Sequence, residues 1–313
     1  MAIQTAFLFP GQGSQAVGMT DGFTDEAGCA VFERARAVLG VDIPRICATS
    51  SPTSLARTEV AQPAIFAVSV AAAAALAARG VEPDVVAGHS LGEIAAAVVA
   101  GAIELDDGFA LVETRAHAMA RAARARPGGM AAILGLSPDE VAETCAAAGG
   151  TATLANINTH EQVVVSGTDH ALAVVAAEAK RRGARRVIRL EVSVAAHSPM
   201  MAPAEQAVRA AAQAVAWRRT RTLFVSAASG RAEPDPDFPS LLADAVTAPV
   251  RWTDAMASVL ATGATTLIEV GPGHVLAGLA RRLAPGCEVF TVGSDEEAAR
   301  VAARIQEVHH ARV

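Results

Sequence analysis

The ten residues Asp84-Val85-Val86-Ala87-Gly88-His89-Ser90-Leu91-Gly92-Glu93 restrict what this chain can fold into more than any other stretch. Residues 84–87 read as a short buried strand and 93–99 as an apolar helix, with only a glycine-flanked turn between them. A strand that enters a helix through so tight a turn is the unit of an α/β domain, not of an all-β or all-α one. Two further strands run into glycine-rich turns, the second of them again followed by a helix. Residues 5–9 form an opening strand that runs into Pro10-Gly11-Gln12-Gly13-Ser14-Gln15, a turn of small residues able to bring backbone N–H groups close to a ligand. Residues 265–270 form a late strand that meets Gly271-Pro272-Gly273 and a helix over 275–282. With 313 residues, 52% hydrophobic and 19% charged, the chain can bury a full core as one large domain or as a domain carrying a smaller insertion.

Between these units lies a segment with a different order. Residues 131–134 read as a strand, 138–148 as a helix, 152–156 and 162–166 as strands, 169–182 as a helix and 187–194 as a strand. That βαββαβ order is the ferredoxin-like arrangement. Ser137 before Pro138, with Glu140 three residues on, is a capping box with proline at the first helical position. Ile188, Leu190, Val192 and Val194 alternate with Arg189, Glu191 and Ser193, the period of a strand with one buried face. The expected fold is therefore α/β: a mainly parallel core over residues 1–128 and 195–313, interrupted by a ferredoxin-like subdomain over 129–194. The Pro- and Asp-rich stretch 233–239 reads as a surface loop. The longest apolar run, 64–78, is fifteen residues, short of the ~20 that cross a bilayer, and reads as a buried helix.

Charge and cysteine usage exclude several function classes. Acidic residues outnumber basic ones 32 to 26, a net charge of −6. Without long blocks of like charge, this argues against a nucleic-acid or anionic-membrane binder. Cys29, Cys47, Cys145 and Cys287 have no CxxC pairing and no histidine at metal-ligand spacing. No metal site is expected, and a reducing compartment is. The opening Met1-Ala2-Ile3-Gln4-Thr5 lacks the basic region of a signal peptide, so a cytoplasmic protein is expected.

Gly88-x-Ser90-x-Gly92 between a strand and a helix is the pattern of a nucleophile elbow. Its glycines permit a strained turn that exposes Ser90 Oγ at a helix N-terminus, where free N–H groups favour a developing oxyanion. The plainer reading is a glycine-rich helix cap. A serine nucleophile needs a base, and there are eight histidines. His197, just beyond the strand that closes the insertion, is the first choice, and His274, after the Gly-Pro-Gly turn, the second. His89 is expected to be structural, because its side chain points away from that of Ser90. His117 on a helix, His160 and His170 at turns, and His309 and His310 in the tail are less well placed. On a helix over 106–124, Arg115 shares one face with Leu111, Val112 and Met119. A guanidinium on an apolar stripe must find an anion: a structural partner, or the carboxylate of a substrate, which its planar fork suits.

Several motifs taken in order resemble malonyl-CoA:acyl carrier protein transacylases and the acyltransferase domains of polyketide synthases. They are Phe9 to Gln15, Thr58 to Phe66 with Gln62-Pro63-Ala64, Gly88 to Glu93, Arg115, Asn156-x-Asn158 before Gln162 to Gly167, His197, Pro249-Val250-Arg251-Trp252 and Glu269 to Gly273. Together they cover almost the whole chain. The resemblance implies an α/β-hydrolase-like core with a ferredoxin-like insertion, in agreement with the pattern reading. It implies Ser90 as nucleophile, His197 as general base and the N–H groups of Gln12 and Leu91 as oxyanion hole. Arg115 would hold the free carboxylate of malonyl, with Gln62, Asn158 and Ala196 also in the substrate site. The backbone carbonyl of Ala245, where the family more often has Gln or Asn, would orient His197.

The implied reaction is ping-pong transfer of malonyl from CoA to the phosphopantetheine thiol of an acyl carrier protein through an acyl-serine, for fatty-acid or polyketide synthesis, with no cofactor of the enzyme's own. A monomer is the family expectation. An acidic carrier would dock on arginines, for which Arg181, Arg182, Arg185, Arg186, Arg189, Arg281 and Arg282 are candidates; the plainer reading of each is a solvated charge. Leu91 resembles malonyl-selective members, but Val194-Ala195-Ala196 departs from both the His-Ala-Phe and the Tyr-Ala-Ser signatures, and Ala196 is small enough to leave room for an α-substituent. The alternatives are a trans-acting polyketide acyltransferase with an unusual or branched extender unit, an acyl-carrier-protein acyl hydrolase, which would have no need of Arg115, and a non-catalytic docking subunit.

Overall fold

β1 (Thr5–Phe9), buried at all five residues, is the strand about which the larger sheet is built. The computed structural model describes residues 4–310, with side chains through Glu307; Met1, Ala2 and Ile3 and the side chains of His309 and His310 lie outside the described residues. β1 pairs in parallel with β2 (Val85–Gly88) on one side. The smaller sheet takes β3 (Gly129–Leu134), β4 (Ala152–Thr159), β5 (Gln162–Gly167) and β6 (Arg186–Arg189). The chain then returns to the larger sheet with β7 (Leu223–Ser226), β8 (Arg231–Glu233), β9 (Thr266–Val270) and β10 (Glu288–Val292). The larger sheet runs β10-β9-β1-β2-β7-β8, parallel except for the antiparallel edge strand β8. The chain adds strands outward on one side of β1 and later returns to the other. The carboxyl ends of β1 and its neighbours are therefore where a crevice opens in such a sheet.

Alternation along β1 separates two apolar layers. Phe7 and Phe9 join Val86, Phe224, Ile268 and Val270 in one, and Ala6 and Leu8 join Val85, Ala87, Val225 and Leu267 in the other. The helix Thr58–Ala77 lies in the first layer. At twenty residues it begins earlier than the expected run, and its length and hydropathy would suffice for a membrane span. Its apolar window is 83% buried inside the protein, so its faces are already covered.

The smaller sheet has the order β4-β5-β3-β6 with every pair antiparallel. The helices Pro138–Ala147 and Asp169–Arg181 cover one of its faces, through Ile133, Val163, Val165, Val141, Leu172 and Val175. Met130, Ala132, Ala155 and Val164 on the other face merge into the large core. The Ser137 capping box forms, with both the side-chain and the backbone halves made.

Two element expectations need correction. The strand expected over 187–194 pairs only from Arg186 to Arg189, because β3 begins at Gly129 and the last contact is Leu190 N–H to the Met130 carbonyl, 3.0 Å. Past that point there is no strand to pair with. Leu190, Val192 and Val194 turn onto the large core, and Ile188 on the edge strand stays 40% exposed. The loop expected over 233–239 is shorter, since Asp237 accepts from the Ser240 N–H and Pro239 enters the first turn of the helix Phe238–Asp244.

The two sheets are joined by backbone. Val250 N–H donates to the Ala155 carbonyl and Ile157 N–H to the Val250 carbonyl, both at 2.8 Å, alongside a register shift in β4. Val250 of the Pro249–Trp252 motif thus forms a single parallel bridge with Asn156 on the open edge of β4, just before the helix Trp252–Ala261 begins.

Candidate active site

β2 ends at Gly88, and the helix Gly92–Val99 starts four residues later. A Cβ on Gly88 would lie 2.1 Å from the Glu93 nitrogen, and one on Gly92 would lie 2.0 Å from the Phe9 carbonyl oxygen. These glycines are thus required by close backbone approach, beyond any need for flexibility. Ser90 is held at φ +56°, a left-handed conformation, with Gly92 N–H on the His89 carbonyl at 3.1 Å and Glu93 N–H on the Ser90 carbonyl at 3.0 Å. The only other described non-glycine residue at positive φ is His197, at +58°. Backbone strain is concentrated on one pair of side chains that meet.

His197 Nε2 lies 2.9 Å from Ser90 Oγ, and Nδ1 lies 3.0 Å from the Ala248 carbonyl oxygen. A carbonyl can only accept, so Nδ1 carries the hydrogen and Nε2 presents its lone pair to the Ser90 hydroxyl. The main orienting carbonyl is therefore that of Ala248 rather than Ala245, which adds a lesser effect in the same direction. The turn after the helix Phe238–Asp244 brings Ala248 closest to the ring, and His197 N–H ties to the Val246 carbonyl at 3.1 Å. Burial, followed by the Arg115 cation and His89, pushes His197 down to about 3, so its imidazole is neutral at physiological pH. His117, His160, His170 and His274 are exposed.

Arg115, on the helix Leu105–Ala125, is 3% exposed. One nitrogen donates to Ser90 Oγ at 2.9 Å and another to Gln62 Oε1 at 2.7 Å; Gln62 in turn leans on the Met119 sulfur at 3.5 Å. Burial lowers the guanidinium to about 10, still cationic at neutral pH, with Glu93 opposing that shift. No carboxylate among the described residues pairs with it directly, so its fork faces the serine without an anion.

Gln12 and Leu91 flank the serine from two loops. A Cβ on Gly11 would lie 2.6 Å from the His89 carbonyl, so the turn after β1 packs directly on the elbow. The Gln12 side-chain amide donates to the Ala56 carbonyl at 3.1 Å and to Thr58 Oγ1 at 3.3 Å, which fixes the loop and leaves the backbone free. Among the described residues neither the Gln12 nor the Leu91 N–H donates to a protein acceptor. Asn158 meets His89 rather than Ser90: its Oδ1 is 3.0 Å from His89 Nε2, and the His89 ring packs on Trp252 at 5.4 Å. Ala196 is buried just before the base, its carbonyl accepting from Ser166 Oγ.

Sequence reasoning missed Glu93 and Ala248. Glu93 is 1% exposed in the first turn of the elbow helix, a signal that an acid on an otherwise apolar helix could have given. Ala248 acts through its backbone, which leaves no residue-type signal. Of the surface arginines, Arg181 and Arg182 pair with Glu178, Arg182 also with Glu143, Arg185 with Glu161 and Arg189 with Asp169. Arg186, Arg281 and Arg282 form no ion pair among the described residues.

Comparison with known proteins agrees with this arrangement. The model of the acyl transferase domain family matches residues 6–307. A malonyl CoA-acyl carrier protein transacylase of Bacillus subtilis is 34% identical over 297 residues, covering 93% of this chain and 94% of that protein. A region of the polyketide synthase GfsB of Streptomyces halstedii, 5% of its length, is 39% identical over 94% of this chain. Among solved structures, a malonyl-transacylase in complex with the holo acyl carrier protein of a type II polyketide synthase superposes with a TM-score of 0.92 at 30% identity, covering 96% of this chain and 99% of that one. A parallel sheet with a glycine-flanked serine at its crevice, an antiparallel sheet set beside it and a match over nearly every residue lead to one assignment: this chain belongs to the acyl transferase domain family.

Proposed function

We propose that the protein transfers a malonyl group from CoA to the phosphopantetheine thiol of an acyl carrier protein through an acyl-serine at Ser90. The observation that carries this reading is the position of Ser90 Oγ, 2.9 Å from a neutral imidazole and 2.9 Å from a buried guanidinium. His197 takes the Ser90 proton as Oγ attacks the thioester carbonyl, and the oxyanion is held by the N–H groups of Gln12 and Leu91. The C–S bond breaks, and His197 returns the proton to the departing thiolate. The carrier thiol then attacks the ester by the same route in reverse. Arg115 holds the malonyl carboxylate in bidentate fashion, with Gln62 fixing the guanidinium plane, so a dicarboxylic acyl group is favoured over acetyl. No cofactor or metal enters this scheme.

The acidic carrier docks on unpaired arginines, of which Arg281 and Arg282 lie on one helix and Arg282 reaches Gln162 of β5 at 3.3 Å. The enzyme acts as a cytoplasmic monomer. Intact-mass analysis after incubation with malonyl-, methylmalonyl- or acetyl-CoA, with and without holo carrier protein, tests the reading. Malonyl is expected on a Ser90 peptide and then on the carrier; a malonyl adduct persisting in Ser90→Ala, or hydrolysis in place of transfer, would overturn it. Preferential loading of methylmalonyl would favour the branched-extender alternative, to which the small Ala196 side chain is suited.

A further inference from the structure

Glu93 has no place in the transfer chemistry, yet its surroundings are specific. Its Oε1 accepts from Ser226 Oγ at 2.7 Å, from the Ala227 N–H at 2.8 Å and from the Ala228 N–H at 3.4 Å, whereas Oε2 is buried with no partner among the described residues. Arg115 is the charged group that acts on it, and Glu93 is the carboxylate that acts on Arg115. The two are buried without touching. An interior cation is costly unless balanced, and a nearby anion that stays off the fork balances it while leaving both guanidinium edges to the neutral Gln62 and Ser90. When an acyl carboxylate enters the fork, the pocket holds two anions and one cation, and the unpartnered Oε2 is the atom free to take a proton.

We propose that Glu93 is a proton-exchanging counter-ion for Arg115: at mildly alkaline pH it is ionised in the empty site, takes up a solvent proton on Oε2 when an acyl carboxylate binds Arg115, and gives it back when that carboxylate leaves. Glu93 is thus a positioning residue that acts through Arg115, and the inference rests on the reading of Arg115 as a carboxylate clamp. Burial pushes the Glu93 carboxyl up to about 7, against the pull of Ser226, two backbone amides and Arg115. A bound carboxylate that cancels the Arg115 field moves it higher still. The groups around it are uncharged at the end of β7 and comprise Arg115 on the helix Leu105–Ala125. His197, which shares Ser90 Oγ with the guanidinium, and His89, held against Asn158, are kept neutral by burial, so neither competes for the proton. Binding of a carboxylated acyl thioester therefore weakens as pH rises above about 7, by up to about tenfold per pH unit.

Calorimetry of the Ser90→Ala enzyme, which cannot be acylated, tests this at pH 8 in two buffers of different ionisation enthalpy. The probe is the malonyl thioester of N-acetylcysteamine, which has no phosphate to titrate, with the acetyl thioester as control. Uptake approaching one proton per malonyl bound and none with acetyl is expected. Glu93→Gln in the same background should abolish the uptake and flatten the dissociation constant between pH 7 and 9. No uptake in the parent, a measurement that needs no Glu93 variant, or unchanged uptake in Glu93→Gln, overturns the proposal. If Arg115→Ala binds the malonyl probe as well as the parent does, the clamp reading fails first and takes the counter-ion with it.

Discussion

At the scale of single residues, the site is a set of groups whose charge states are chosen by burial. His197 is neutral because the interior disfavours its cation, so it is available as a base across the physiological range. The same fact sets a stability signature. With a folded value near 3 against 6.5 for the free side chain, the unfolded chain binds the proton first. The contribution is complete above about pH 6.5 and is lost as pH falls toward 3. Relative to His197→Gln, the wild type should lose up to about 1.4 kcal/mol of unfolding free energy per pH unit below 6.5. Urea titrations of both proteins at pH 7, 6 and 5 measure that difference in slope; parallel lines would contradict a buried neutral imidazole. Arg115→Ala should lower kcat/KM for malonyl-CoA roughly 10–100-fold, the worth of a charge-assisted pair, and should spare acetyl loading. Equal losses for both substrates in a discontinuous thiol-release assay would remove the carboxylate clamp. Neither Ala245 nor Ala248 uses its side chain toward His197, so Ala248→Ser should keep turnover within about threefold, while His197→Ala should lose roughly 10³-fold.

At the scale of elements, the elbow is a backbone device. Its tightness follows from the approach of the helix Gly92–Val99 to the end of β1, where a Cβ on Gly92 would overlap the Phe9 carbonyl. Gly92→Ala must push the two apart, an overpacking of backbone against backbone that should cost about 3 kcal/mol or more. Scanning calorimetry should show Tm lower by roughly 6–12 °C, with acyl-enzyme formation lost together with it. A variant that kept its Tm would show that the glycine is not forced by contact. The Ser137 cap makes the opposite prediction. It closes the helix Pro138–Ala147 on the far side of the smaller sheet. Ser137→Ala should cost about 1 kcal/mol and leave turnover unchanged. The element pattern was largely legible in the chain. Strand-turn-helix units and the βαββαβ order follow from local periodicity and from Gly, Pro and Ser placement. The end of β6 was not, because Val192 and Val194 keep a strand's alternation although β3 begins at Gly129 and, past the contact of Leu190 with Met130, has no residues left to pair with them.

At the scale of the whole molecule, the base is held by the junction of the two sheets. Val250 pairs with β4, and the same short segment carries the Ala248 carbonyl to His197. Val250→Pro deletes the N–H that reaches the Ala155 carbonyl. It should lower kcat more than it raises KM for malonyl-CoA; the reverse split would place the junction in substrate binding rather than in orienting the base. Carrier recognition belongs to this scale as well. Arg281→Glu with Arg282→Glu should raise KM for carrier protein roughly tenfold, most strongly at low salt, and leave self-acylation within about twofold. Loss of self-acylation would show that these arginines shape the site itself. The chain by itself determined the α/β class, the antiparallel insertion, the Ser90 elbow and a charged Arg115 on an apolar helix face, because strand and helix periods, turn residues and facial patterning are local properties. That His197 is the base and Arg115 the carboxylate clamp came from the family resemblance, since the residues alone left His274 and a structural ion pair open. Only the tertiary structure decided that Ala248 meets the imidazole, that Asn158 meets His89 instead of the serine, and that Glu93 and Arg115 share one buried field. A backbone carbonyl carries no residue signature, and a charge is placed by every element packed around it, from Thr58–Ala77 to the turn after β7.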